Sequence, residues 1–309
     1  MSTAPPAVQA ASPAAARSVA SLRPSFSGIV RGEALKLSRQ LSLWLTLGGS
    51  ILLLAVIVLA VSGAQNLKPM LLADPTAWAY DKLETFGTLF QIGSGIFLLI
   101  FGSRLMGMEY SSGTIRILYA RGTGRLQLLL AKMFTLAVVG VALLAGYLLL
   151  VGAILALMIV ALSGSLDSAH HISNAFWSDL GRWALVQGIS MGMAILIASA
   201  AVGVGRSLAF GIAAALAYYP VDNFLNILEI LGIRATGHDQ PWTAISQYML
   251  SPNLNVLLTL MEPSHRARPA FASPLAPVDL THALVVVGLF GLAFAIIALV
   301  RTLRPDVLE

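Results

Sequence analysis

Asp222, Asn223, Asn226 and Glu229 follow Pro220 in an otherwise apolar stretch. Carboxylates and amides in that setting can hold an ion, pass a proton or bind a polar substrate. A carboxylate facing lipid at mid-bilayer costs about 2.5–3.5 kcal/mol, so these groups should face protein or a wet cavity. With Gln91, they are candidates for a translocation path or an outer gate. The fifth apolar span is drawn over 208–231. Its polar half reads either as an ion or substrate site within that span or as a separate helix after a break at Pro220; the break is preferred. The second concentration of chemistry is a basic island, Arg104 to Lys132, between two long apolar runs.

Other combinations lack the spacing that chemistry needs. His170 and His171 are adjacent and would point about 100° apart on a helix, a poor metal pair. Gly122-Thr123-Gly124-Arg125 is too short for a phosphate loop and lacks its Lys-Ser/Thr ending. The chain has no cysteine, which excludes disulfides and thiolate metal sites. No paired acid and base stands out. The expectation is a chain with no catalytic residue, metal or cofactor of its own.

The elements that position these groups are membrane helices. Of the 309 residues 57% are hydrophobic and 11% charged, against roughly 25% charged in an average soluble domain. Mean hydropathy is +0.83, and several runs approach the ~20 residues needed to cross a bilayer. The expected fold is all-α and polytopic, with six spans near 43–61, 86–105, 134–162, 183–204, 208–231 and 284–300. Residues 1–25, rich in Ala, Pro and Ser, read as a disordered tail, and 26–309 as one transmembrane domain. Phe26, Val30, Ala34, Leu37 and Leu41 recur at helical spacing, with Arg31, Lys36 and Arg39 directed elsewhere. That pattern predicts an interfacial helix, apolar stripe in lipid, with a local Glu33–Lys36 pair. Gly93-Ser94-Gly95 predicts a face packed closely on another helix. Residues 163–182 read as a solvated loop, and Asn253–Met261 as a re-entrant or interfacial helix before the last span.

Net charge is +5 with a pI near 9.7, which in a membrane chain marks topology and headgroup anchoring rather than nucleic acid. Six spans put both termini on one side. Thirteen of the 19 Lys and Arg residues fall there, including the N-terminal segment, the island, Arg206, Arg301 and Arg304. The positive-inside rule makes that side cytoplasmic. Within the island, Ser111 or Ser112 can cap a short helix through Tyr119, Gly122-Thr123-Gly124 turns the chain, and Thr123 can cap a second helix.

The run Glu109-Tyr110-Ser111-Ser112-Gly113-Thr114-Ile115-Arg116, followed by Arg125 and Lys132, resembles the loop between spans two and three of type-2 ABC transporter permeases. Glu33-Ala34-Leu35-Lys36-Leu37 with Arg39 is similar to that family's interfacial helix. The resemblance implies a permease subunit, an exporter more often than an importer, in a bacterial or archaeal plasma membrane. It implies two permease copies working on a pair of separate ATPase subunits, which bind ATP and Mg. The island would be the coupling helix seated on the ATPase, with Glu109, Gly113, Thr114, Arg116, Arg125 and Lys132 as its key positions. A bond from Glu109 to Arg116 or Arg125 is expected. The alternative is an ion-coupled secondary transporter using Asp222 and Glu229. That reading calls for inverted repeats, and none is evident between 43–162 and 183–300.

Overall fold

Long apolar runs with few interruptions leave the backbone one way to satisfy its polar groups in lipid, the α-helix. A computed structural model describes residues 24–62, 67–261 and 271–304. The reading of residues 1–25 lies almost wholly outside them. Among the described residues there are twelve α-helices and no strands. α1 (Phe26–Ser38) bends at Arg39–Gln40 into α2 (Leu41–Ser62). α3 (Leu67–Ala73) precedes the 37-residue α4 (Pro75–Ser111), and α5 (Ile115–Ala120) leads to the 39-residue α6 (Arg125–Ser163). α7 (Asp167–His170), α8 (Asn174–Gly205), α9 (Leu208–Thr236), α10 (Trp242–Gln247), α11 (Leu250–Met261) and α12 (Leu280–Leu303) complete the order. Six of these, α2, α4, α6, α8, α9 and α12, are long and apolar enough to cross a membrane. The protein is a polytopic, all-α membrane protein.

α8 is the central helix and packs on α4, α6, α9, α11 and α12. Small residues permit the close approaches. A Cβ at Gly102 would lie 3.1 Å from Ala198 Cβ, and one at Gly107 would lie 2.9 Å from Leu208 Cα. By contrast, Gly93, Gly95, Gly188 and Gly192 meet nothing within 4 Å. The close packing expected at Gly93-Ser94-Gly95 is therefore absent, and Gly93 and Ser94 border an open groove. α2 is peripheral, burying only Leu43 and Leu54 among its described side chains.

Three further expectations are corrected. α9 runs unbroken through Pro220, so the preferred break is absent. A proline costs a helix one internal hydrogen bond, and the burial of Asp222, Asn226 and Glu229 along one face holds the turns that follow. The segment 163–182 is not one solvated loop, because α8 begins at Asn174. Asp179 is fully buried there, accepting from Tyr80 Oη at 2.7 Å and from Arg182 Nη1 at 2.6 Å. Finally, α1 ends at Ser38, and its buried residues are Glu33 and Leu37. Leu41 already belongs to α2, and the inward face of α1 carries a charge.

Candidate functional site

The island is mostly the ends of two membrane helices. Arg104 and Glu109 lie on α4, and Arg125 and Lys132 on α6; only the six-residue α5 and its flanking turns are separate. The predicted caps are not used. Ser112 is the C-cap of α4, with its hydroxyl donating to Met108 O at 2.8 Å. Thr114 and Gly124 hold the N-cap positions of α5 and α6, and no side chain caps either helix. The turns are made by glycine: Gly113 has φ +69° and Gly122 φ +83°, a conformation that costs other L residues about 1–2 kcal/mol.

Behind this foot lies a closed ring of four charges. Glu33 and Lys36 come from α1, Glu109 from α4 and Lys132 from α6. Lys36 Nζ lies 2.7 Å from Glu33 Oε1 and 2.7 Å from Glu109 Oε1. Lys132 Nζ lies 3.1 Å from Glu33 Oε2 and also binds Glu109 Oε2 and Leu105 O. Each carboxylate thus gives one oxygen to each ammonium, and the ring is neutral. Glu33, Glu109 and Lys132 are at most 6% exposed. The local Glu33–Lys36 pair is as predicted. The expected bond from Glu109 to Arg116 or Arg125 is not formed, because α1 and α6 deliver two nearer ammonium groups into the buried space that Glu109 faces.

Burial alone would lower the Lys36 pKa, but the hydrogen bonds and charges of Glu109 and Glu33 outweigh it, and the value is raised. A value raised on folding stabilises the protein fully below the unfolded pKa of about 10.4, and that stabilisation is lost as pH rises through the folded value. Thermal unfolding in detergent is therefore expected to show a Lys36-dependent decline only above about pH 10.4. The check is Lys36→Met, which should remove that alkaline step; a step unchanged in the variant would refute the assignment.

The remaining island residues surround the foot. The Arg125 guanidinium stacks over Tyr119 at 4.9 Å and donates to Arg304 O, tying the foot to the end of α12. Burial pushes the Tyr119 hydroxyl up to about 12. Arg116 projects from the exposed side of α5, and Arg39 is exposed at the C-cap of α1. Ser111 Oγ accepts from Leu208 N at 2.9 Å, so α9 starts against the end of α4. A cavity of about 20 Å³, room for one water, lies between Glu109, Tyr119, Lys132 and Ser199.

The second set of predicted residues sits at the opposite face. Asp222 Oδ2 accepts from Ser251 N at 2.5 Å. This backbone N–H is one of the orphan donors at the start of α11, so Asp222 acts as an N-cap supplied from another helix. Asn226 Nδ2 donates to Ser246 Oγ at 3.0 Å and to Glu229 Oε2 at 3.3 Å. Ser246 Oγ also accepts from Leu275 N at 3.0 Å. Asn223 Nδ2 donates to Tyr219 O within its own helix. Gln91, half-buried on α4, takes no part in these bonds. Ser246 and Ser251 carried no sequence signal, since their partners are distant in the chain, and the same holds for the Tyr80 bond of Asp179.

A family model described as ABC-2 family transporter protein matches residues 29–221. That stretch contains the whole charge ring and the foot, and it ends at Val221, just before Asp222. No curated protein and no solved structure matches the chain.

Proposed function

The chain belongs to the ABC-2 transporter family, and from that premise we propose that it is the permease subunit of an ATP-driven exporter, coupled through residues 104–132 to a separate ATPase. The observation that carries this reading is the charge ring. It binds α1, α4 and α6 into one unit directly behind α5, and α4 and α6 continue unbroken from the foot into the membrane. A push on α5 would therefore reach two spans through rigid helices. ATP and Mg belong to the partner, a second permease copy completes the transporter, and both termini face the cytoplasm of a bacterial or archaeal cell.

Ion-coupled transport through Asp222 and Glu229 is less well supported. Asp222 is occupied as a helix cap, and Asn226 donates to Glu229 on the same buried face. The deciding experiment expresses the full chain with its neighbouring proteins and asks whether a soluble ATPase with a phosphate loop co-purifies in detergent. Co-purification is expected, and reversing the charge of Arg116 together with that of Arg121, the exposed C-cap of α5, should reduce it. Absence of an ATPase, with transport persisting in ATP-depleted vesicles, would overturn the proposal.

A further inference from the structure

Between α2 and the pair α4–α6 lies an apolar groove of about 650 Å³, walled by Ile51, Leu54, Phe90, Gly93, Phe97 and Tyr147 among others. It exists because α2 is held off the bundle while Gly48, Gly93 and Gly146 put no side chain into the gap. From Trp44 to Ile57 along α2 the groove runs for ~20 Å, enough for an acyl chain reaching past the middle of a hydrocarbon core about 30 Å thick.

Its end on the α1 face is polar and unfinished. Beyond the Trp44 end, Gln40 Oε1, Ser42 Oγ and Arg104 Nε are enclosed without a hydrogen-bond partner, and Arg104 continues at seven-residue spacing the stripe of α4 that carries the groove residues Phe90 and Phe97. Gln40 Nε2 reaches Met108 Sδ at 3.8 Å, and Met108 lies one turn from Arg104 on the same side of α4. Trp44, on the groove wall, donates its Nε1–H to Ser38 O at 2.7 Å, next in the chain to the exposed Arg39. Buried polar groups without partners are rare and call for an explanation. Here a hydroxyl and two guanidinium groups offer donors, and an amide oxygen offers an acceptor, all at the mouth of an apolar slot.

We infer that this groove seats an anionic phospholipid. Its acyl chains lie along α2, its phosphate meets Arg104, Ser42 and Arg39, and a headgroup hydroxyl donates to Gln40 Oε1. Neutral lipid supplies the chains but not the net negative charge. The inference rests on the groove and its rim and is independent of ATP coupling.

The test is native mass spectrometry of the delipidated full chain, titrated with phosphatidylglycerol or phosphatidylcholine of the same acyl length. Phosphatidylglycerol should be retained in preference. Arg104→Gln should weaken that retention about fivefold, the effect of one basic residue beside an anionic surface. Gly93→Phe should fill the slot and release both lipids. Equal retention of the two lipids by the wild type would overturn the proposal, as would retention untouched by Gly93→Phe. The chain has no native cysteine, so Ile51→Cys reports the remaining occupant. Cross-linking of two copies through Cys at that position, undiminished by excess phosphatidylglycerol, would assign the groove to a second copy instead.

Discussion

Lys132→Met is expected to destabilise the protein by about 3–5 kcal/mol, the cost of removing one partner from a buried ion pair. Lys132 is 3% exposed and neutralises two carboxylates that are themselves 3% and 6% exposed. Its loss leaves Glu33 and Glu109 sharing Lys36 alone, with one uncompensated negative charge and the Leu105 carbonyl without its donor. Lys36→Met should cost much less, since 42% of the Lys36 side chain is exposed and water can replace part of what it provides. The double variant Glu33→Gln with Lys132→Met restores neutrality and should recover part of the loss. Thermal or denaturant unfolding of the purified chain distinguishes these cases. A Lys132→Met effect below about 1 kcal/mol, the scale of an exposed pair, would mean that water enters the ring.

Asp222→Leu is expected to cost about 1–3 kcal/mol by leaving the buried Ser251 N–H without an acceptor. Asp222→Asn keeps an amide oxygen at the same position and should be nearly neutral. This contrast separates two roles for one carboxylate. A helix cap needs an acceptor, with or without charge, whereas a proton- or ion-coupling group needs a carboxylate that can gain and lose its charge. Hydrogen exchange of the Ser251, Asn253 and Leu254 amides should speed up in Asp222→Leu and remain slow in Asp222→Asn. Equal acceleration in both variants would refute the capping role, and transport abolished by Asp222→Asn with exchange unchanged would favour ion coupling.

The six spans were legible because hydrophobicity summed over ~20 residues is a strong signal that one polar residue cannot erase. The ends of the helices were not. Asp81, Lys82 and Asp179 look like loop residues by charge, yet they extend α4 and α8 beyond the apolar runs, Asp81 and Lys82 pairing with each other and Asp179 with Tyr80 and Arg182. Glu33–Lys36 was readable because three residues is a helical neighbour spacing. Glu109 and Lys132 were singled out by resemblance, but their bonds to Lys36 and Glu33 cross 73 and 99 residues, a distance at which spacing carries no information. The same limit hid the partners of Asp222. Pro220 misled for the opposite reason: a strong local signal was overridden by burial of the face that follows it.

The ring also imposes an order on how the protein is made. Glu33 and Lys36 leave the ribosome together, but Glu109 follows Lys36 by 73 residues and Lys132 follows Glu33 by 99. At about 5–20 residues per second, Lys132 emerges roughly 5–20 s after Glu33. Through that interval the first helix holds a carboxylate whose final partner does not yet exist, and the first two spans must be inserted before it can be matched. The ring closes only when the third span arrives. Closure is thus the first event in biosynthesis that depends on the first three spans having been threaded in the correct sense.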